Sequence, residues 1–337
     1  MNPPFSISTE ILQSVSRIER LIGRIEGLDQ PKPQPHLRKS NRVRTIQGSL
    51  AIEGNTLDLD QVTALLEGKR VIGRKEEIQE ALNAIKVYES MAGFDPVSPK
   101  SLLKSHRIMM DGLIPDAGKW RTRNVGILKG SKVSHIAPKA DRVSHLMDDL
   151  FLFLKTEKLN PLIRSCVFHY ELQFIHPFQD GNGRVGRFWH TLLLYNYYPA
   201  FEFIPIESLI RDHQQEYYAV LESSDRAGDS TAFVDFSLGI IVKSLEDFIS
   251  SFTPKPLTAN ERLARAKEHF ASQEFSRKHY LKLFKTISTA TASRDLKQAV
   301  DSNFLTKTGE KALTLYRYQQ PRHPQSIPPA FCYKSRG

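Results

Sequence analysis

The sequence predicts a mainly α-helical fold: a bundle of helices carrying one β-hairpin, followed by a small basic winged helix-turn-helix unit. Three observations predict it. Apolar residues recur at helical spacing through most of the first 252 residues. One stretch in that span, NVGILKGSKVSHIAP, instead combines glycines with β-branched residues in the pattern of a hairpin. The charge excess of +10 lies wholly at one end: residues 255–337 hold 16 Lys and Arg against 6 Asp and Glu, and the other 254 residues hold 31 of each.

The elements follow in order. Residues 7–28 read as a helix that QPKPQP breaks. A second helix, from about Leu37 to Leu50, runs into AIEGNTLDLD, where Gly54 and Asn55 can end it. Asp58 or Asp60 can cap the next, QVTALLEGK. KEEIQEALNAIKVYESM and SLLKSHRIMMDGL continue the pattern up to the hairpin. DRVSHLMDDLFLFLKTE and PLIRSCVFHYELQFI are helical, and a helix from about Arg184 to Tyr197 is followed by two more ending near Phe252. TPKP reads as a linker. The expected division is a helical region over 1–95, a core over 96–252, the winged unit over 253–320 and a tail over 321–337.

Composition excludes several classes. With 40% hydrophobic and 25% charged residues the chain is an ordinary globular protein, and no apolar run reaches membrane-spanning length. MNPPFSISTE lacks the basic start and apolar run of a signal peptide. Two cysteines, Cys166 and Cys332, make no disulfide framework, so a reducing, cytoplasmic setting without membrane attachment is expected.

The chemistry concentrates in HPFQDGNGRVGR, residues 176–187. Gly181, Asn182 and Gly183 open a helix, whose unpaired N–H groups and partial positive charge bind anions. Arg184 and Arg187 lie three apart, so both can reach further phosphates of one polyphosphate. Asp180 supplies the single carboxylate with which proteins often hold Mg²⁺ on a phosphate. His176 can take a proton near neutral pH. Phe178 reads as a core anchor rather than a contact. The assembly fits transfer of a phosphate-bearing group from a nucleotide to a hydroxyl.

These residues resemble the signature of the Fic (filamentation induced by cAMP) family, H-x-F-x-[D/E]-G-N-G-R-x-x-R, and meet every specified position. The resemblance implies a helical bundle with a β-hairpin flap. It implies an adenylyltransferase that moves AMP from ATP onto a Ser, Thr or Tyr hydroxyl of a target protein. By position, His176 would be the general base and Asp180 would hold Mg²⁺. The backbone through Gly181, Asn182, Gly183, Val185 and Gly186 would line the ATP site, with Arg184 on the β-phosphate and Arg187 on the γ-phosphate. GSKVSHIAP resembles the flap, which puts Lys132, Val133, Ser134 and His135 beside the site, where the main chain would dock a target by strand addition. EYYAVLESSDRAGD resembles the adenine-contact region: Tyr218 matches, whereas Asp225 stands at the Asn position.

SLAIEGN, residues 49–55, meets the family's inhibitory pattern [S/T]-x-x-x-E-[G/N] through Ser49, Glu53 and Gly54. A glutamate placed beside Arg187 would pair with the cation that the γ-phosphate needs. The resemblance also implies that the same Glu53 can orient a water that removes AMP, and that a homodimer can tune the inhibition.

In the basic quarter, KHYLKLFKTISTATASRDLKQAVDSNFLTKTGEKALTLYRY reads as helix, turn, helix, strand, turn, strand. Tyr280, Leu281 and Phe284 share one helix face, and Thr289 or Thr291 caps the next helix. It resembles a winged helix-turn-helix. On that analogy Ser293, Arg294, Lys297 and Gln298 would face a DNA groove, and Lys307 and Lys311 on the wing would lie near phosphates. The same module also serves as a protein-docking surface, so both partners stay open, and nucleoid or chromatin association follows from the first. Three functions remain in contention: the self-inhibited transferase, a DNA-binding regulator using the core as a nucleotide sensor, and a small-molecule phosphotransferase. An intact base at His176 argues against a pure sensor, and a peptide-docking flap argues against the last.

Overall fold

The computed structural model describes residues 3–27, 35–129, 132–252, 257–310 and 313–319. Cys332, Lys311 and the tail over 321–337 lie outside the described residues. The chain divides into two units, Met1–Thr253 and Pro254–Gly337.

The first unit is a helical bundle with one hairpin. In order it contains α1 (Thr9–Glu26), α2 (Pro35–Ile52), α3 (Leu59–Leu66), α4 (Lys75–Glu89), α5 (Pro99–Met109), β1 (Gly126–Lys129), β2 (Lys132–Ile136), α6 (Val143–Thr156), α7 (Pro161–Ile175), α8 (Asn182–Tyr197), α9 (Ile206–Asp212), α10 (Gln214–Ala227) and α11 (Thr231–Phe252). Segments 1–95 and 96–252 share one hydrophobic core. α7 and α8 form its centre. Both are buried nearly all round, with Phe168, Leu172, Val185, Phe188 and Trp189 fully enclosed. An all-round apolar helix has to be covered on every side, and the other helices cover this pair.

Local signals explain the boundaries. Ser8 accepts from the N–H of Ile11 and caps α1. Of the two cap candidates before α3, Asp58 is used, in a reciprocal capping box with Gln61. The hairpin stands where it was expected, as an antiparallel pair whose ladder slips between Ile127 and Leu128. Two expectations are corrected. Three helices, not two, lie between Tyr198 and Phe252, and the helix after the loop begins at Asn182 rather than Arg184. Among the described residues no helix is long and apolar enough to cross a membrane.

The second unit contains α12 (Ala259–Phe270), β3 (Phe275–Ser276), α13 (Arg277–Leu283), α14 (Thr289–Asp301), β4 (Leu305–Thr308) and β5 (Leu315–Tyr318). Its antiparallel sheet has the order β3-β5-β4. α12 and β3 extend the expected pattern at its start. Ser288 caps α14, not Thr289 or Thr291, because its hydroxyl accepts from the N–H of Thr291. Tyr280, Phe275, Leu296 and Leu305 form its core. A buried ion pair crosses that core: Arg262 Nε and Nη2 lie 2.7 and 2.9 Å from the Asp295 carboxylate, which also accepts from the Tyr280 hydroxyl at 3.2 Å.

Candidate active site

The loop between α7 and α8 is shaped by what holds its backbone. His176 ends α7 in the left-handed region, at φ 50° and ψ 60°, and this turns the chain out of the helix. Its carbonyl accepts from Arg121 Nε at 2.7 Å. Arg121 is buried, and its other donors reach the carbonyls of Arg123, Pro138 and Ile175. Phe178 is fully buried and stacks on the His106 ring, with centroids 3.6 Å apart. His106 Nδ1 accepts from the N–H of Gly118 at 2.8 Å, so Nε2 carries the hydrogen that it donates to the Asp180 carbonyl, 2.9 Å away. Burial pushes its pKa down to about 4, which keeps the ring neutral. The Asn182 side chain closes the loop by accepting from the N–H of Phe178 at 2.8 Å and donating to its carbonyl at 2.9 Å.

The N-terminus of α8 is bare by necessity. Gly181 adopts φ 81°, and a Cβ there would lie 2.5 Å from Met110 Sδ. A Cβ on Gly183 would lie 2.2 Å from Glu53 Oε1, so the Glu53 carboxylate occupies the space in front of the helix. An anion is favoured at that position by the helix dipole. Glu53 follows α2, and its Oε1 accepts from Arg187 Nη2 at 2.7 Å. Arg187 is buried and also donates to the Ser49 carbonyl at 2.9 Å and the Ser49 hydroxyl at 3.2 Å. Burial alone would lower the pKa of this guanidinium; the Glu53 charge and hydrogen bond, together with Tyr217 and Tyr218, outweigh it and the net shift is upward. Arg184 Nη1 lies 2.7 Å from Glu80 Oε1, and its Nη2 lies 3.5 Å from Asp180 Oδ2. The Asp180 side chain is 60% exposed, and its Oδ1 accepts from the N–H of Gly181 at 2.6 Å.

The sequence profile of the Fic/DOC family matches residues 96–194. A solved structure of a Fic family protein from Desulfovibrio desulfuricans is 38% identical, with 96% of this chain and 100% of that chain covered and a TM-score of 0.73. The chain belongs to the Fic family. Fic-1 from C. elegans has the same fold, with a TM-score of 0.61 at 25% identity over 72% of each chain. Among curated Fic relatives, protein adenylyltransferase Fic of Culex quinquefasciatus is 30% identical over 259 residues, which is 70% of this chain and 49% of that protein. Protein adenylyltransferase fic-1 of Caenorhabditis elegans is 29% identical over 215 residues, 60% of this chain and 40% of that protein. The chain thus spans about half or less of the length of these curated relatives.

The remaining expected Fic residues fall as follows. The Val185 side chain faces the core, and its N–H closes the first helical turn on the Gly181 carbonyl at 3.0 Å. Gly186 packs against Gln173, where a Cβ would meet Nε2 at 2.0 Å. Tyr218, 37% exposed, has its hydroxyl pKa raised by burial and then by the Glu53 charge, which puts it in the field of the Glu53–Arg187 pair. Asp225 accepts from the Tyr170 hydroxyl at 2.9 Å, and burial followed by the Asp225 charge raises the Glu171 carboxyl to about 7. In the flap, Lys132, Val133 and His135 pair with Lys129, Leu128 and Ile127, and Ser134 lies at the slip in the ladder. In the second unit, Arg294, Lys297 and Gln298 are exposed on α14, Lys307 is exposed on β4, and the half-buried Ser293 accepts from Arg277 at 3.0 Å.

Sequence reasoning missed three residues at this Fic loop: His106, Arg121 and Glu80. The first two come from separate segments with no pattern of their own. Glu80 left one signal, since Glu77 and Glu80 lie three apart at the start of α4 and so share a face. Glu77 accepts from the N–H and hydroxyl of Thr56, each at 3.1 Å. Both glutamates therefore hold the segment that follows Glu53.

Proposed function

We propose that this chain is a protein adenylyltransferase whose activity Glu53 holds off. The observation that carries the reading is the Glu53 carboxylate at the α8 N-terminus, bonded to the buried Arg187. An anion already sits where phosphates would bind, and His176 stands at the same loop. The curated relatives named protein adenylyltransferase support the reading.

In this mechanism the α8 N-terminus holds the α-phosphate, Arg184 the β-phosphate and Arg187 the γ-phosphate once Glu53 withdraws. His176 takes the proton of a target Ser, Thr or Tyr hydroxyl. The hydroxyl oxygen forms a bond to the α-phosphorus, the bond from that phosphorus to the bridging oxygen breaks, and pyrophosphate leaves. Asp180 suits Mg²⁺, because an exposed single carboxylate is what an ion held largely by phosphates and water requires. No cluster of three or more ligating side chains stands among the described residues. When bound, the ion would offset phosphate charge. The same Glu53 suits removal of AMP through a positioned water.

The test is incubation of wild type, Glu53→Gly and Glu53→Gly/His176→Ala with α-labelled ATP and Mg²⁺. Label on protein that appears with Glu53→Gly and vanishes with His176→Ala is the expected result. No label in any variant despite bound ATP would overturn the transferase reading, and label from γ-labelled ATP would replace it with a kinase.

A second reading concerns the basic unit, whose helix and strand order supports a winged helix-turn-helix. The exposed Arg294, Lys297 and Gln298 on α14 and the charge excess favour DNA as its partner. DNA retention that falls with salt, and disappears on deleting residues 255–337, is expected; unchanged retention after deletion would sink it.

A further inference from the structure

Arg184 is held differently from Arg187. Its side chain is 6% exposed, and Nη1 is fixed on Glu80 Oε1 at 2.7 Å. Among the described residues Nε is buried with no hydrogen-bond partner. Among the same residues Nη2 reaches Asp180 alone, at 3.5 Å. A buried N–H without a partner is costly, and a phosphate oxygen would satisfy it. Arg187, by contrast, has both Nε and Nη2 engaged by Ser49 and Glu53.

Glu80 is itself fixed from the other side. Its Oε2 accepts from Asn55 Nδ2 at 2.8 Å. The same Asn55 amide donates to the Glu77 carbonyl at 3.1 Å and accepts from the N–H of Leu57 at 3.1 Å. The brace therefore rests on the residue two beyond Glu53, outside the Glu53–Arg187 contact. Glu53 can swing away from Arg187 without breaking any bond that orients Arg184.

We propose that Glu80 is a positioning residue for the nucleotide: it braces Arg184 by one nitrogen and leaves Nε and Nη2 for the β-phosphate. This inference rests on the nucleotide reading above. A guanidinium fixed before binding loses little freedom on binding, so the brace acts on affinity for ligands that carry a β-phosphate.

The experiment is calorimetric titration of the full-length Glu53→Gly protein with ATP, ADP and AMP, alone and with Glu80→Ala, Glu80→Gln, Arg184→Ala or the Glu80→Ala/Arg184→Ala pair added. Glu80→Ala should weaken ATP and ADP about tenfold and AMP less than about twofold, because AMP has no β-phosphate. The pair should bind ATP no worse than Arg184→Ala alone, since the two act as one unit. Glu80→Gln, which keeps an acceptor oxygen, should recover most of the loss and guards against misfolding of the alanine variant. Equal weakening of AMP and ATP, or losses that add, would overturn the role of Glu80. Absence of any nucleotide binding to Glu53→Gly would overturn the nucleotide reading and this inference together.

Discussion

Glu53 Oε1 lies 2.7 Å from Arg187 Nη2, although the two residues are 134 positions apart in the chain. One side chain of the pair is buried and the other is one-third exposed. The buried cation is therefore part of the fold, and the carboxylate is the movable half.

Glu53→Gly removes a hydrogen bond to a charged group that stays buried. Such bonds contribute about 1.5–3 kcal/mol, and the exposure of Glu53 places this one near the lower end. The apo variant should melt roughly 3–6 °C below wild type. Saturating ATP should raise its midpoint more than it raises that of wild type. Differential scanning fluorimetry reads both values.

Gly183→Ala puts a methyl group where Glu53 Oε1 now sits, 2.2 Å from it, and 3.0 Å from Arg187 Nη1. Any phosphate approaching the helix N-terminus meets the same methyl. In the Glu53→Gly background this change should weaken ATP binding by about tenfold or more, worth ~1.4 kcal/mol, with the melting midpoint nearly unchanged. Unaltered ATP affinity would mean that the phosphates bind elsewhere.

Gly48→Ala acts from behind the inhibitory segment. Its Cβ would lie 2.8 Å from Ser208 N and 2.9 Å from the Glu207 carbonyl carbon, where α2 packs on α9. Backbone cannot step aside as a side chain can, so α2 must lift. Overpacking of this kind costs about 1–3 kcal/mol. The midpoint should fall and labelling by α-labelled ATP should rise above wild type, since α2 leads directly into Glu53.

Three titrating groups give signed pH effects. His106 and His190 are pushed down to about 4 by burial, below the ordinary value of 6.5. Between these values the unfolded chain binds the extra proton, so their stability contribution is full above about 6.5 and is lost as pH falls toward 4. Glu171, raised to about 7, has the opposite sign, and its contribution is lost as pH rises from 4.5 through 7. Urea midpoints between pH 5 and 8 should show a shallower acid loss for His106→Gln and a steeper one for Glu171→Gln.

Asp295→Ala strands Arg262 in the core of the second unit, where the two are bonded at 2.7 and 2.9 Å. Removing one partner of a buried pair costs about 3–5 kcal/mol, a large share of the stability of so small a unit. Limited proteolysis should cut residues 257–319 while the 1–253 unit keeps its ATP-induced thermal shift.

The parts legible in the sequence were those written in contiguous residues. The loop signature, the SLAIEGN motif, the hairpin and the helical periods each sit within one short window. Even there, the apolar period alone put the start of α8 near Arg184, whereas the glycine pattern put it at Gly181–Gly183, and Gly181, with φ 81°, is the N-cap. α12 was passed over because ANERLARAKEHF shows only Arg262, Leu263 and Ala266 to the interior, and one of those three is charged. Arg121 and His106 had no local signature, and Glu80 had only its spacing from Glu77, because each reaches the loop from a separate segment. Only folding puts them there.

Arg121 gathers carbonyls from Arg123, Pro138, Ile175 and His176 on one guanidinium. Pro138 lies two residues past the end of β2, and His176 carries the proposed base. The hairpin and the base are thus surveyed from one benchmark. On the expectation that a target docks by strand addition, a peptide laid along β2 would lie on backbone fixed by the same guanidinium that holds the His176 carbonyl, whatever the peptide's own sequence. Which hydroxyl reacts would then be decided by how many strand steps separate it from the anchor, as a ruler decides, rather than by the company it keeps.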